Sequence, residues 1–297
     1  MTGKIPKRKS IVDSMYIRDG SDPENDWKEY YSIEENPYVI NPKEGFIVSC
    51  NNKINGGNGF HGIGTTIPST ARAVRAHNMI KEKIDKGEKI KLDFLKEMQM
   101  DVIDESAKKL APLLLKLTEK YKSQFFAKDS KQMKVINKMS KMVIGWNGSF
   151  DKDSKAALVF NTWLEHIHDT LLQEYYKDQR ERVHVLKSFY NEHFLGIFAT
   201  EWLNGTNLDS KICRTKKNYD SKLPCIHNVL YALLETRKYL KTKFGTNEAN
   251  WKWKNEQTLE YSHLVFSDTP LRFLFHRHVP SPVTLILSSR VIRILCL

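Results

Sequence analysis

Apolar positions fall into two regimes along this chain. Residues 1–44 carry Pro, Gly, Asp, Ser and aromatic residues with no sustained period, which predicts an irregular, packed loop region with room for one short strand. Phe46-Ile47-Val48-Ser49-Cys50 is then an apolar run of strand length, reached through Pro42 and Gly45 and ending at two carboxamides, Asn51 and Asn52. From Ser69 the spacing becomes helical. Ser69 or Thr70 caps a helix to about Asp85, with Ala71, Val74, Met79 and Ile80 apolar and Gly87 beyond its end. Phe94, Leu95, Met98, Val102 and Ile103 continue at helical spacing from Asp93, then Ala107, Leu110, Leu114 and Leu117, with Pro112 marking a kink or a fresh start. Met133, Ile136, Met139 and Val143 predict a helix stopping near Gly145, and Asp153 or Ser154 caps another through Ala157, Phe160, Trp163, Ile167 and Leu171. Helical patterns resume over 183–198 and 223–241; Tyr261–Phe266 reads as a strand, and Leu271–Phe275 continues apolar.

These stripes are core faces, and Met98, Met133 and Met139 fill gaps in them. With 297 residues, 40% hydrophobic and 11% aromatic, the chain is long enough to bury a substantial core. The formal charge of +12 favours anionic partners. Because the lysines are interspersed with acidic residues, a solvated lysine-rich surface accounts for the charge, and no nucleic-acid partner is expected. Met1–Ser10 is basic but no apolar core follows it, and Val283–Leu297 is too short and too often interrupted by arginine to span a membrane.

The candidate chemistry is sparse. Asn51 and Asn52 are either turn residues or donors of a side-chain NH2 to a substrate oxygen. Gly57-x-Gly59-x-x-Gly62 formally fits a dinucleotide fingerprint, but Asn51–Asn55 separates the strand from the glycines and the downstream segment is lysine-rich; it reads as a flexible loop over a site, or as a turn. His166 and His168 are two apart and point to different helix faces, and no His-Glu-x-x-His motif occurs. The four cysteines, Cys50, Cys213, Cys225 and Cys296, form no Cys-x-x-Cys pair. Cys213 and Cys225 flank a polar loop and can close it as a disulfide in an oxidising compartment. The sequons Asn147-Gly148-Ser149 and Asn204-Gly205-Thr206 are compatible with that compartment, which stays open.

Gly45–Lys53, preceded by Asn41-Pro42, resembles the strand that carries the oxyanion-hole asparagine in the penicillin acylase (penicillin amidase) family of N-terminal nucleophile hydrolases. Other segments follow in the family's order. Gly3-Lys4-Ile5-Pro6-Lys7-Arg8 is similar to its Gly-x-x-Pro-x-Arg, and Thr70–Arg75 to the helix start where the family places an arginine near the active site. Gln99-Met100-Asp101 resembles its Gln-x-Asp, and Trp146-Asn147-Gly148 stands where it has Trp-Asp-Gly, before Asp153-Ser154 and Ala156-Ala157. Trp251-Lys252-Trp253 is similar to its Trp-x-Trp-Gly, with Lys254 in place of the glycine and Gln257 where a histidine is usual. The resemblance spans about residues 3–277.

The resemblance implies an amidohydrolase that cleaves a small acyl amide through an acyl-enzyme. In it Asn51 donates to the oxyanion, and Arg72 orients Asn51 and the nucleophile's amino group; the bland alternative for Arg72 is a surface arginine on a helix. The family's nucleophile is a serine freed at a chain N-terminus by self-cleavage, well upstream of Gly-x-x-Pro-x-Arg. The expectation is therefore a fragment that lacks the nucleophile and is inactive alone, its partner being the missing N-terminal part of the same precursor. Thr2 is a competent residue type, but it lies far from where the family's chain would start. No cofactor is required. The family's calcium finds no ligands here, since no Asp or Glu lies between Asn51 and Lys81. The fold class expected is α+β and predominantly helical, an incomplete part of an αββα sandwich. It divides into a loop and strand segment over 1–68, a helical domain over 69–277 and a divergent tail over 278–297. Full-length protein in a secretory or lysosome-like compartment is compatible with this. The rivals are a catalytically inactive relative and a basic helical binding module for anionic partners.

Overall fold

The computed structural model describes residues 4–7, 17–35, 38–50, 52, 71–173, 192–215, 218–261, 265–266, 269–275 and 277–280. The chain divides into two compact units, Met1–Lys89 and Ile90–Leu297. The described residues are mostly helical, as the periodicity predicts.

In the first unit, Pro6 bridges Tyr30 in antiparallel fashion. The Lys7 N–H donates to the Glu29 carbonyl at 2.8 Å and the Tyr31 N–H to that of Ile5 at 2.9 Å. Ile5 is buried by this pairing. Helix α1 spans Ala71–Asp85, and its candidate caps Ser69 and Thr70 lie outside the described residues. It ends as expected: Gly87 takes φ +68°, and the Gly87 and Glu88 N–H groups close back on the Ile84 and Lys83 carbonyls. On its surface Lys81 pairs with Asp85 and Lys86 with Glu82, local pairs that disperse the positive charge.

In the second unit, α2 (Leu92–Met100) and α3 (Glu105–Phe125) are separate helices. The break falls at 101–104, not at Pro112, which sits inside α3. Non-local pairing decides this. The Phe150 N–H donates to the Val102 carbonyl at 2.8 Å and the Asp104 N–H to the Gly148 carbonyl at 2.9 Å, which pulls 102–104 out of a helical path. The Asp104 carboxylate then restarts the helix by accepting the Ser106 and Ala107 N–H groups. Pro112 and Lys108 are both exposed, so water reaches the Lys108 carbonyl that the proline leaves without a donor.

Ser130 caps α4 (Lys131–Val143), and Ser154 caps α5 (Lys155–Gln173) through the Ala157 N–H. Helices α6 (Glu192–Leu203) and α7 (Pro224–Phe244) follow. Helix α3 packs on α4, α6 and α7, and α5 on α4 and α7. The core between them holds Leu110, Leu114, Leu117, Met133, Ile136, Met139, Phe160, Ile167, Trp202 and Leu233. Trp163 is fully buried and satisfies its indole by donating to the Val229 carbonyl at 2.9 Å.

Cys213 and Cys225 form a disulfide. Buried Asn218 reinforces the loop it closes, donating to the Cys213 and Pro224 carbonyls and to the Asn228 side chain. Near the end of the described chain, β1 (Thr258–Tyr261) and β2 (Arg277–Pro280) form an antiparallel pair with Thr258 opposite Pro280. The strand expected at 261–266 is thus shifted towards the N-terminus, and 272–275 is a single turn of helix, α8.

Candidate active site

Asn41 and Gly45 both take positive φ, +47° and +77°, and the Gly45 N–H closes a turn on the Pro42 carbonyl at 2.9 Å. That turn sends 46–50 along α1. The segment is not a strand of any sheet among the described residues, contrary to the expectation for Phe46–Cys50. An apolar run becomes a strand only where a second chain segment completes its ladder. The run nevertheless keeps strand alternation: Phe46, Val48 and Cys50 are half-buried while Ile47 and Ser49 are exposed.

Side chains of α1 and of the segment itself fix its course. The Phe46 ring lies 5.2 Å from the imidazole of His77, centroid to centroid, and His77 Nε2 is 3.6 Å from Glu44 Oε2. One and a half turns earlier on the helix, Arg72 Nη2 donates to the Cys50 carbonyl at 3.0 Å. The Cys50 N–H donates to Asn52 Oδ1 at 2.9 Å, so the second carboxamide of the pair folds back on the backbone. Arg72 and Asn52 therefore grip the two faces of one residue, Cys50, immediately before Asn51.

Asn51 lies outside the described residues, as does the glycine-rich stretch 55–64. Of the two residues singled out for catalysis, the structure describes Arg72, and that one binds the backbone next to the other. His77 and Glu44 were not anticipated. The one sequence signal for them is that His77 follows Arg72 by five residues, which puts the two near enough along α1 to hold one extended segment.

The Trp146-Asn147-Gly148, Asp153-Ser154 and Trp251-Lys252-Trp253 segments meet elsewhere, in the second unit, around a buried aromatic cluster. Trp146 packs its ring at 5.1 Å from both Phe150 and Phe160, and Phe150 lies 5.1 Å from Trp253. The Trp253 and Lys254 N–H groups donate to the Ser154 and Lys152 carbonyls, at 3.1 and 2.8 Å, docking the late Trp-x-Trp on the start of α5. Asp153 lies between Lys254 and Lys252, 2.8 and 3.2 Å away, and their ammonium groups hold its carboxyl below the usual range. Lys254, which departs from the expected glycine, thus pairs with a motif aspartate. The Asp101 carboxylate accepts the Ile103 N–H at 3.1 Å, shaping the break before α3.

No group of His, Cys, Asp and Glu suited to a metal ion occurs among the described residues, and no described helix is long and apolar enough to cross a membrane. The family model described as Penicillin amidase matches residues 1–284.

Proposed function

The chain belongs to the penicillin amidase family, and from that premise we propose that it supplies the oxyanion-binding part of a hydrolase acting on linear acyl amides. The membership carries the coarse activity: a hydrolase of the amidase type. In the finer reading, Asn51 donates its side-chain NH2 to the oxyanion that forms as the amide carbonyl becomes tetrahedral. Arg72 positions Asn51 by holding the peptide before it. One observation carries this reading, the 3.0 Å bond from Arg72 Nη2 to the Cys50 carbonyl, supported from the other side by the Asn52 side chain. An oxyanion donor works by being fixed before charge develops, and a backbone clamped on both sides of the preceding residue meets that requirement. Arginine suits the role because its planar fork can serve a carbonyl and a second acceptor together.

The alternation of exposure along 46–50, with Ile47 62% exposed, supports the segment as one plank of a larger sheet of the αββα type. In this reading the nucleophile is a serine at a chain N-terminus, a role that none of the 297 residues is assigned, so the 297 residues alone are expected to be inactive towards acyl amides.

The test is chromogenic hydrolysis of an arylacetyl anilide. The 297-residue chain alone is expected to give no turnover; turnover abolished by Asn51→Ala would refute the inactive-fragment part of the reading. Joined to a nucleophile-bearing N-terminal part, the protein is expected to turn over. There Asn51→Ala lowers kcat about 10²–10³-fold with KM little changed, the loss expected for one oxyanion donor. Arg72→Lys lowers kcat in the same direction. An active joined protein indifferent to Asn51→Ala would remove the asparagine from the mechanism.

A further inference from the structure

Helix α6 ends in a turn that the amidohydrolase reading leaves unused. The Gly205 N–H donates to the Trp202 carbonyl and the Thr206 N–H to the Glu201 carbonyl, with Gly205 at φ +83°. This is a glycine-terminated helix end. Asn204, Gly205 and Thr206 are all exposed. The space around Gly205 is open, with no atom within 4 Å of where a Cβ would stand. The Asn204 side chain makes no hydrogen bond among the described residues, whereas its neighbour Asn207 is tied to Glu201 at 2.9 Å.

A second feature of the same loop points to the same chemistry. The Cys225 N–H donates to the Leu208 carbonyl at 3.4 Å and Cys225 Sγ lies 3.5 Å from the Asn207 carbonyl, so the Cys213–Cys225 disulfide packs against the residues that follow the sequon. A disulfide buried in the fold is the mark of a chain that matures in an oxidising compartment, where Asn-x-Ser/Thr acceptors are also used. Nothing in this rests on the proposed catalytic role.

We infer that Asn204 carries an N-linked glycan. The donor is a membrane lipid pyrophosphate bearing an N-acetylglucosamine-based oligosaccharide. The Asn204 amide nitrogen forms the new bond to the anomeric carbon and loses one proton. The anomeric carbon–oxygen bond breaks, and the lipid pyrophosphate leaves with that electron pair; no oxidation or reduction occurs. The transfer acts on the chain before it folds, and the folded loop accommodates the product because it breaks no contact of the Asn204 side chain.

The second sequon is built differently. Asn147 Oδ1 accepts the Ser149 N–H at 3.0 Å, the Trp146 indole donates to the Ser149 carbonyl at 2.9 Å, and Gly148 is buried against α3. In the folded chain a glycan on Asn147 would sit on a side chain that the turn already uses, beside a glycine with no room against α3, whereas Asn204 leaves its side chain in open space. The inference is therefore confined to Asn204.

The test is peptide mass spectrometry of the protein purified from the cells that make it, after glycosidase release in heavy-oxygen water. Conversion of Asn204 to labelled aspartate with glycosidase, and not in a parallel heavy-oxygen sample without it that reads spontaneous Asn-Gly deamidation, is the expected result. An Asn204 peptide recovered without a glycan, or labelled equally in both samples, overturns the inference. As a second arm, the whole chain is directed through a eukaryotic secretory pathway. There Thr206→Ala, which keeps Asn204 but removes the acceptor hydroxyl together with its 2.9 Å bond to the Glu201 carbonyl, should abolish the glycosidase-sensitive mobility shift, as should Asn204→Gln, while Asn147→Gln leaves it. A shift that persists in Thr206→Ala and disappears in Asn147→Gln would assign the modification to the other turn and refute the proposal.

Discussion

Gly148 is the residue whose replacement tests the packing of the second unit most sharply. It takes φ +83°, and a Cβ there would stand 2.8 Å from the Asp104 carbonyl oxygen, 2.9 Å from Lys108 Cβ and 3.2 Å from the Lys108 nitrogen. Two of those three atoms are backbone in the capped first turn of α3, which cannot swing aside as a side-chain tip does. Gly148→Ala therefore incurs two costs. The left-handed backbone costs about 1–2 kcal/mol for a residue with a Cβ. The overlap adds about 1–3 kcal/mol, as inserted methyl groups do in packed sites. Gly145→Ala, three residues earlier at φ +75° with nothing within 4 Å, incurs the first cost alone. The difference between the two variants, about 1–3 kcal/mol, isolates the steric contribution. Urea denaturation followed by tryptophan fluorescence reads it cleanly, because Trp146, Trp163, Trp202, Trp251 and Trp253 all lie in the second unit and only Trp27 in the first. Equal losses in the two variants, to within about 0.5 kcal/mol at unchanged m, would refute the close approach of Gly148 to α3.

Two further stability predictions follow from the same unit. Replacing Cys213 and Cys225 together by alanine opens a closure of sequence separation 12. It should destabilise the chain by about 3 kcal/mol on loop-entropy grounds, read as a lower urea midpoint than the oxidised protein; a loss below about 1 kcal/mol would show that the bonds of Asn218 and Asn228 hold the loop unaided. His227 stacks on Tyr231 at 3.9 Å, and burial lowers its pKa from the ordinary 6.5, opposed in part by its bond with Asn228. The unfolded chain then binds that proton more readily than the folded one, so the stability is present above pH 6.5 and lost as pH falls through the lowered value. His227→Phe should flatten the fall in Tm between pH 7 and 5 relative to the parent protein, and an unchanged pH slope would contradict the assignment.

What the sequence made legible divides along the range of the interactions involved. Ser154, Gly87 and Gly145 act on their own or adjacent turns, so the helix ends they set could be read from residue type and spacing. The break at 101–104 could not, because its cause lies in 148–150, more than forty residues away; the proline that local rules single out is tolerated on a solvent face instead. The same division runs through the motifs. Trp251-Lys252-Trp253 was legible as a family mark but not as a strap across 152–154, since no period relates the two segments.

At the candidate site this division has a functional consequence. Residue type pointed to the Asn51-Asn52 pair, and the family resemblance singled out Asn51 and Arg72. The segment before Asn51 is held by contacts with no pattern of their own: Phe46 on His77, Glu44 beside His77, and Asn52 folded back on Cys50. In the proposed site, a donor carried by a segment with so few contacts is sensitive to each. Loss of the His77 ring would leave Asn51 chemically intact but free the segment that carries it, whereas Arg72 would still hold the Cys50 carbonyl. The proposed role of Asn51 therefore rests as much on α1, which holds the extended segment at Phe46 through His77 and again at Cys50 through Arg72, as on the carboxamide itself.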